Sequence, residues 1–414
     1  MRMAAVIIEQ KLCRTVIVRH DRALDIDHLR RLATKLFTDG QYFEADMVLA
    51  ELANLTEGDR AQIALRRAQI GMLSDRMADV GGQLEIARDE YGLHVYFVGL
   101  EADMALRIGD LPSAVAALRR LGRHSWADHL EGFDGDWYLV KEVSTCPVTW
   151  DDAYALPLLE VTVNGQTGQF VLDTGTGHCL LDSEFARRAG VEPGPHDQAS
   201  FAGDLIGSWQ LARIDSLSIG GSRFEMLNAM LAPLANAFRH IADGAVDGIV
   251  GAGLLRAAGG IDIDYQRARF RLGSPGVQEG EPLWIAGPHY PLTPCRANGG
   301  PASCWFIDSG MSGIDLACSE SAARRHGAQA LQGDTEAHGG GGSLPAKAVR
   351  IRDFRHGELE YPELSAAVLA NFTLGRELGI RIGGIIGHRW LSRHRVQLDY
   401  HTMQTRITLD EPSR

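Results

Sequence analysis

The chain of 414 residues has no uninterrupted apolar run approaching the ~20 residues that a membrane-spanning helix requires, so no such helix is expected. Its first apolar stretch, Ala4 to Ile8, is broken by Glu9 and Gln10. That is too short for a secretory signal core, and no small-residue cleavage pattern follows. Basic excess is missing too. A formal net charge of −12 argues against a nucleic-acid partner, because phosphate binding needs a concentrated basic surface. The six cysteines, at 13, 146, 179, 295, 304 and 318, form no Cys-x-x-Cys pair and have no histidine partners at zinc spacing. Neither a metal nor a cofactor is expected. The cysteines read as free, mostly buried thiols, with a Cys295–Cys304 bridge as the alternative, and the expected location is the cytoplasm.

What is present divides the chain in two. At 45% hydrophobic and 23% charged residues the composition is that of a globular protein, and the length predicts two or three domains. After an N-terminal segment (1–24), residues 25–122 are almost free of proline, and apolar residues recur at three- and four-residue spacing, the period of packed helices. "LATKLFTDGQYFEADMVLAEL" reads as helix, turn at Asp39-Gly40, helix; "ADMALRIGDLPSAVAALRRLG" repeats the plan with its turn at Gly109-Asp110. The turn glycines are 69 residues apart, close to two units of a 34-residue repeat, with a degenerate unit between them. Ala45 and Ala114 follow each glycine by five residues and permit close helix packing. The region resembles about three tetratricopeptide repeats. Such a stack either presents a concave surface to a protein partner or substrate, or serves as a cap on the next domain. Residues 123–150, with Trp126, Trp137, Tyr138 and Trp150, read as a connector.

From Leu156 onward short β-branched runs alternate with Gly, Asn-Gly and Pro turns, the signature of a mainly-β region. This region repeats itself. "GQFVLDTGTGHCLLDSEFARRAGV" matches "SCWFIDSGMSGIDLACSESAARRHGA", placing Asp173 and Asp308 135 residues apart. Gly251 of "VDGIVGAGLL" and Gly387 of "IGGIIGHRWL" are offset by 136, Asp264-Tyr265 and Asp399-Tyr400 by 135, and the turns Asn164-Gly165 and Asn298-Gly299 by 134. One offset kept by four landmarks is an internal duplication.

Each half, read as residues 151–275 and 276–414, resembles one retropepsin-like aspartic protease lobe: apolar strand, Asp-Thr/Ser-Gly, short helix, apolar-Gly element. Together they are similar to the bilobal pepsin/retropepsin-like fold carried on a single chain, as in bacterial relatives of that family. The resemblance implies an aspartic endopeptidase acting on a peptide or protein, with Asp173 and Asp308 catalytic. Two carboxylates held together share a proton, so one serves as base and the other as acid; this dyad is a standard example of the effect. Thr174 and Ser309 are expected to bond across the lobe interface, and Gly175 and Gly310 to allow the loops to approach. Thr176, His178, Trp209, Met311 and Gly340 are the expected substrate contacts. His178 holds a pocket position, Met311 stands where a small residue is usual, and Trp209 and Gly340 lie in two glycine-containing segments, Phe201–Gln210 and Ala337–Ala346, that read as flaps. The second segment reads equally as a flexible surface loop. Asp182, Asp247 and Asp315 read as turn or cap residues. A second functional reading keeps the dyad but turns it to dehydration or cyclisation of a small molecule, in a cleft closed by Met311 and His178. A pure binding module fits poorly with two unsubstituted Asp-Thr/Ser-Gly motifs.

Overall fold

A computed structural model describes residues 26–133, 139–144, 148–149, 156–200, 206–234, 246–339, 342–370, 372 and 374–409. The first element is a layer of helices: α1 (Ile26–Thr38), α2 (Tyr42–Leu55), α3 (Arg60–Leu73), α4 (Met77–Tyr91), α5 (Val95–Ile108), α6 (Leu111–Arg120) and α7 (His124–Leu130). The first six form three hairpins whose turns use left-handed residues at Gly40, Asp75 and Gly109, with φ of 76°, 54° and 75°. Five residues after each turn stand Ala45, Val80 and Ala114, all fully buried, so the repeat period is carried through the middle unit as well. The middle turn escapes a search for glycine because an aspartate occupies it. Asp110 caps α6 through the Ser113 amide, and Pro112 lies in the first turn, where its missing N–H costs no helix bond. The helical layer continues to Leu130, because α7 lies inside the segment expected as connector. Trp137, Tyr138 and Trp150 fall outside the described residues. Among the described residues no helix is long and apolar enough to cross a membrane.

The β region forms three sheets. In lobe 1 the spatial order is β1 (Leu139–Glu142), β8 (Ser222–Ala232), β5 (Cys179–Asp182), β9 (Gly248–Gly251), β4 (Gln166–Asp173), β3 (Leu158–Val163), β7 (Ile206–Ile219) and β6 (Pro193–Ser200). Lobe 2 runs β13 (Trp284–Ala286), β14 (Tyr290–Cys295), β15 (Ser303–Ile307), β20 (Ile382–Ile386), β16 (Leu316–Ser319), β19 (Leu359–Leu369), β18 (Gly342–His356) and β17 (Gln329–Gly339). The duplication is visible in the pairing. β4 runs parallel to β9 with Asp173 opposite Gly251, and β15 runs parallel to β20 with Ile307 opposite Ile386. The turns that open β4 and precede β15 use Asn164-Gly165 and Asn298-Gly299, all four residues at positive φ, as tight hairpins favour. Short helices α8 (Ser183–Arg188), α9 (Ala252–Ala257), α10 (Glu320–Arg325), α11 (Leu374–Glu377) and α12 (His388–Leu391) complete the lobes.

The third sheet joins them. Its order is β12 (Glu281–Pro282), β22 (Gln404–Thr408), β21 (Arg395–Asp399), β10 (Gly260–Asp264), β11 (Arg269–Leu272) and β2 (Val148–Thr149). The repeated closing strands meet at its centre, where β10 and β21 pair antiparallel from Gly260 opposite Asp399 to Asp264 opposite Arg395. Strand alternation then sorts the cores. Leu172, Trp305 and Ile307 point into the apolar mass shared by the two lobes. Cys304 and Phe306 point the other way, into a second cluster that holds Leu29, Phe37, Tyr42 and Leu52 of the helical layer. There Tyr42 meets Trp284 edge-on at 5.1 Å. Fully burying such a side chain contributes about 1.5–3 kcal/mol, so the helices are held to lobe 2 as a core is held together.

Candidate active site

Asp173 ends β4 and Asp308 follows β15, and the reversed glycine loops bring the two carboxyls together. The space is tight. A Cβ on Gly175 would lie 2.3 Å from Asp308 Oδ1, and one on Gly310 would lie 2.2 Å from Asp173 Cγ, so only glycine fits either position. The loops are fixed by a reciprocal set of bonds. The Thr174 amide donates to Ser309 Oγ at 3.0 Å, and the Ser309 amide donates to Thr174 Oγ1 at 3.0 Å. Each hydroxyl donates onward to a carbonyl of the opposite lobe, Thr174 to Ile307 at 2.7 Å and Ser309 to Leu172 at 3.0 Å. Six buried polar groups, two amides, two hydroxyls and two carbonyls, are thereby satisfied at once, which fixes the loops as well as stabilising them.

The two carboxyls are not equivalent. Asp173 accepts the Gly175 amide on Oδ1 and the Thr176 hydroxyl on Oδ2, both at 2.7 Å. Asp308 accepts two backbone amides on Oδ1, from Gly310 at 2.9 Å and Met311 at 3.0 Å. Both side chains are buried, and burial raises both carboxyls above their ordinary range. For Asp173 the Thr176 hydroxyl and the Gly175 amide oppose that rise. For Asp308 the neighbouring Asp173 charge adds to it, and the carboxyl stands well above its ordinary value. Both carboxyls being raised, the pair favours holding a proton between them, and the Thr176 hydroxyl is the one side-chain hydroxyl of the described residues that supports the ionised form of Asp173. Titration still belongs to the pair.

The remaining expected contacts separate from one another. Thr176 supports the dyad directly through its hydroxyl. Met311 does not face a cleft: it is 2% exposed in the cluster shared with the helical layer, because its long apolar side chain finds apolar neighbours there. Trp209 is likewise 3% exposed, packed with Leu158, Val171 and Ile249, since β7 turns its large apolar face inward. His178 lies against α7, its ring 5.4 Å from that of Trp126 and its Nδ1 3.4 Å from Asn228. Burial lowers its pKa to about 4. Gly340 and the tip 201–205 lie outside the described residues, but both flap segments belong to hairpins, β6–β7 and β17–β18. Trp126 and Arg123 both donate to Asp197 on the first of these.

The other acidic residues are structural. Asp182 caps α8 through Glu184 and Phe185, Asp247 accepts the Gln169 amide and Arg188, and Asp315 is held by Ser365 and Arg393. Cys179, Cys295, Cys304 and Cys318 are free and buried. A Cys295–Cys304 bridge is ruled out by register: Cys295 pairs with Ser303 and Cys304 with Pro294, so neighbouring side chains point to opposite faces. Composition reading missed Tyr265, whose phenol is raised by burial beside Ser309 and the dyad charges. The repeated Asp-Tyr pair was the signal that pointed to it.

The aspartyl protease family model matches residues 159–255 and again residues 293–390. The two lobes belong to the aspartyl protease family. Each match contains one Asp-Thr/Ser-Gly loop and its apolar-Gly element, and the helical layer lies outside both. Among solved structures the chain is similar to a retropepsin-like aspartic protease from Rickettsia conorii, at 16% identity and a TM-score of 0.26. That match covers 33% of this chain and 95% of the other. No curated protein matches the sequence.

Proposed function

We propose that the chain is an aspartic endopeptidase. Water attacking the scissile carbonyl gives a proton to the Asp173 carboxylate while Asp308 gives its proton to the carbonyl oxygen. The gem-diol intermediate then collapses as Asp173 passes its proton to the leaving nitrogen and one diol hydroxyl returns a proton to Asp308, which breaks the C–N bond and restores the dyad. The observation that carries this reading is the Thr174–Ser309 exchange across the lobes, which holds two buried carboxyls in fixed, inequivalent settings. An extended peptide would lie between the dyad and the two hairpins, pairing with their strand edges. The helical layer, of tetratricopeptide type, would recruit a substrate or partner. Support for recruitment comes from the exposed apolar residues Leu93, Val95 and Tyr96 at the α4–α5 turn. Incubation of the full chain with a proteome-derived peptide library, read by mass spectrometry, tests the proposal. New peptide termini at a consistent sequence are expected. A library left intact would remove the endopeptidase reading and favour acid–base chemistry on a small molecule.

A further inference from the structure

Of the three helix-hairpin turns, two place glycine in the left-handed conformation and the middle one places Asp75 there. Aspartate is among the few side chains this backbone setting tolerates, less readily than glycine, and here its carboxylate is put to use. Both Asp75 oxygens accept from Arg256 Nη2 of α9, at 2.8 Å. Arg107 of α5, whose side chain is 3% exposed, lies 3.6 Å from the same carboxylate. It donates to the carbonyl of Met72 at 2.5 Å and to those of Ile285 and Gly287 at 3.3 Å. The helical layer thus grips one element of each lobe at a single half-buried point.

Both elements lead to the Asp173 loop. The first two amides of α9, Ala252 and Gly253, donate to the carbonyls of Thr176 at 2.7 Å and Gly177 at 3.0 Å. The Gly287–His289 turn, with two of its three residues at positive φ, lays the Pro288 carbonyl over Gly177, where a Cβ would be 2.2 Å away. The lobes differ here. In lobe 2 the His388 amide makes the matching bond to Met311, at 2.7 Å. The counterpart of Arg256, however, is Ser392, which bonds only within its own turn, to Arg389.

We propose that Asp75 is a positioning residue for the dyad: through Arg256 and Arg107 the helical layer sets the Asp173 loop against lobe 2. The active geometry then depends on a residue outside both lobes. This rests on the endopeptidase reading, and it deepens it.

The test compares full-length wild type with Asp75→Asn and Asp75→Gly, the second of which suits the backbone better than aspartate. Melting temperature, kcat, KM, the pH profile of kcat/KM and amide exchange at Ala252 and Gly253 are measured together. Expected are a kcat at least tenfold lower, KM within about twofold, and an acid limb moved upward as the Thr176 hydroxyl leaves Asp173. Faster exchange at the two amides accompanies these changes. Arg256→Lys, which keeps a cation, restores part of the kcat lost in Arg256→Gln, and this pair carries the test should either Asp75 variant fail to fold. A fall in kcat with the profile and the exchange unmoved would mean a merely structural role, and unchanged kcat would also overturn the proposal. Should wild type cleave no peptide, the endopeptidase reading fails while amide exchange still decides whether Asp75 holds the loop.

Discussion

Thr176 is the sharpest point at which to perturb the dyad. Its hydroxyl donates to Asp173 Oδ2 at 2.7 Å, and the matching residue of lobe 2, Met311, has no hydroxyl to offer. Thr176→Val keeps the shape and removes that donor, leaving the Thr176 carbonyl still bonded to Ala252. A hydrogen bond to a charged group contributes about 1.5–3 kcal/mol, and one pKa unit corresponds to about 1.4 kcal/mol. The lower apparent pKa of the dyad should therefore rise by about 1–2 units. The sign follows from the bond's preference for the ionised carboxylate: without it Asp173 takes up its proton at a higher pH and ceases to act as base. In an assay of kcat/KM against pH on a peptide substrate, the acid limb of Thr176→Val moves upward while Thr176→Ser stays near wild type. An unmoved limb in the valine variant would refute the placement of charge on Asp173.

Asp308→Asn tests the same electrostatics through stability. A carboxyl raised in the folded state binds more protons there than in the unfolded chain, so it costs stability as pH rises from about 4 through its raised value. The variant should melt above wild type at neutral pH and lose that advantage near pH 4, as thermal unfolding at several pH values would show. Thr174→Val removes the acceptor of the Ser309 amide and the donor to Ile307, and each stranded buried group costs about 1–3 kcal/mol, to be measured by urea unfolding. Gly310→Ala forces a Cβ onto the Asp173 carboxyl, and its turnover should fall below detection in the peptide assay. Thiol labelling followed by peptide mapping should find Cys179, Cys295, Cys304 and Cys318 protected until denaturant is added.

The paired architecture was legible because duplication repeats spacing. The offset shared by Asp173/Asp308, Gly251/Gly387 and the two Asp-Tyr pairs survives as matched strands, and the closing strands meet as β10 and β21. Apolar periodicity likewise announced the helices, down to buried Ala45 and Ala114. Less legible were residues whose role depends on a distant partner. Trp209 reads as a cleft contact from its flap segment and Met311 from its place after Asp-Ser-Gly, yet apolar surface area decides their place, and both are buried in cores. Asp75 carried no motif, because its meaning lies in Arg256, 181 residues away. His178 keeps its place near the dyad loop, but its neighbour Trp126 comes from a segment that reads as a connector.

The central claim is that both carboxyls together activate water against a peptide bond. Cleavage of a library-derived peptide in heavy-oxygen water tests it most directly, comparing wild type with Asp173→Asn and Asp308→Asn. Wild type should place one heavy oxygen in the new C-terminal carboxylate, and each variant, still folded by circular dichroism, should give no cleavage. Cleavage persisting in either variant, or cleavage without the heavy oxygen, would contradict the account.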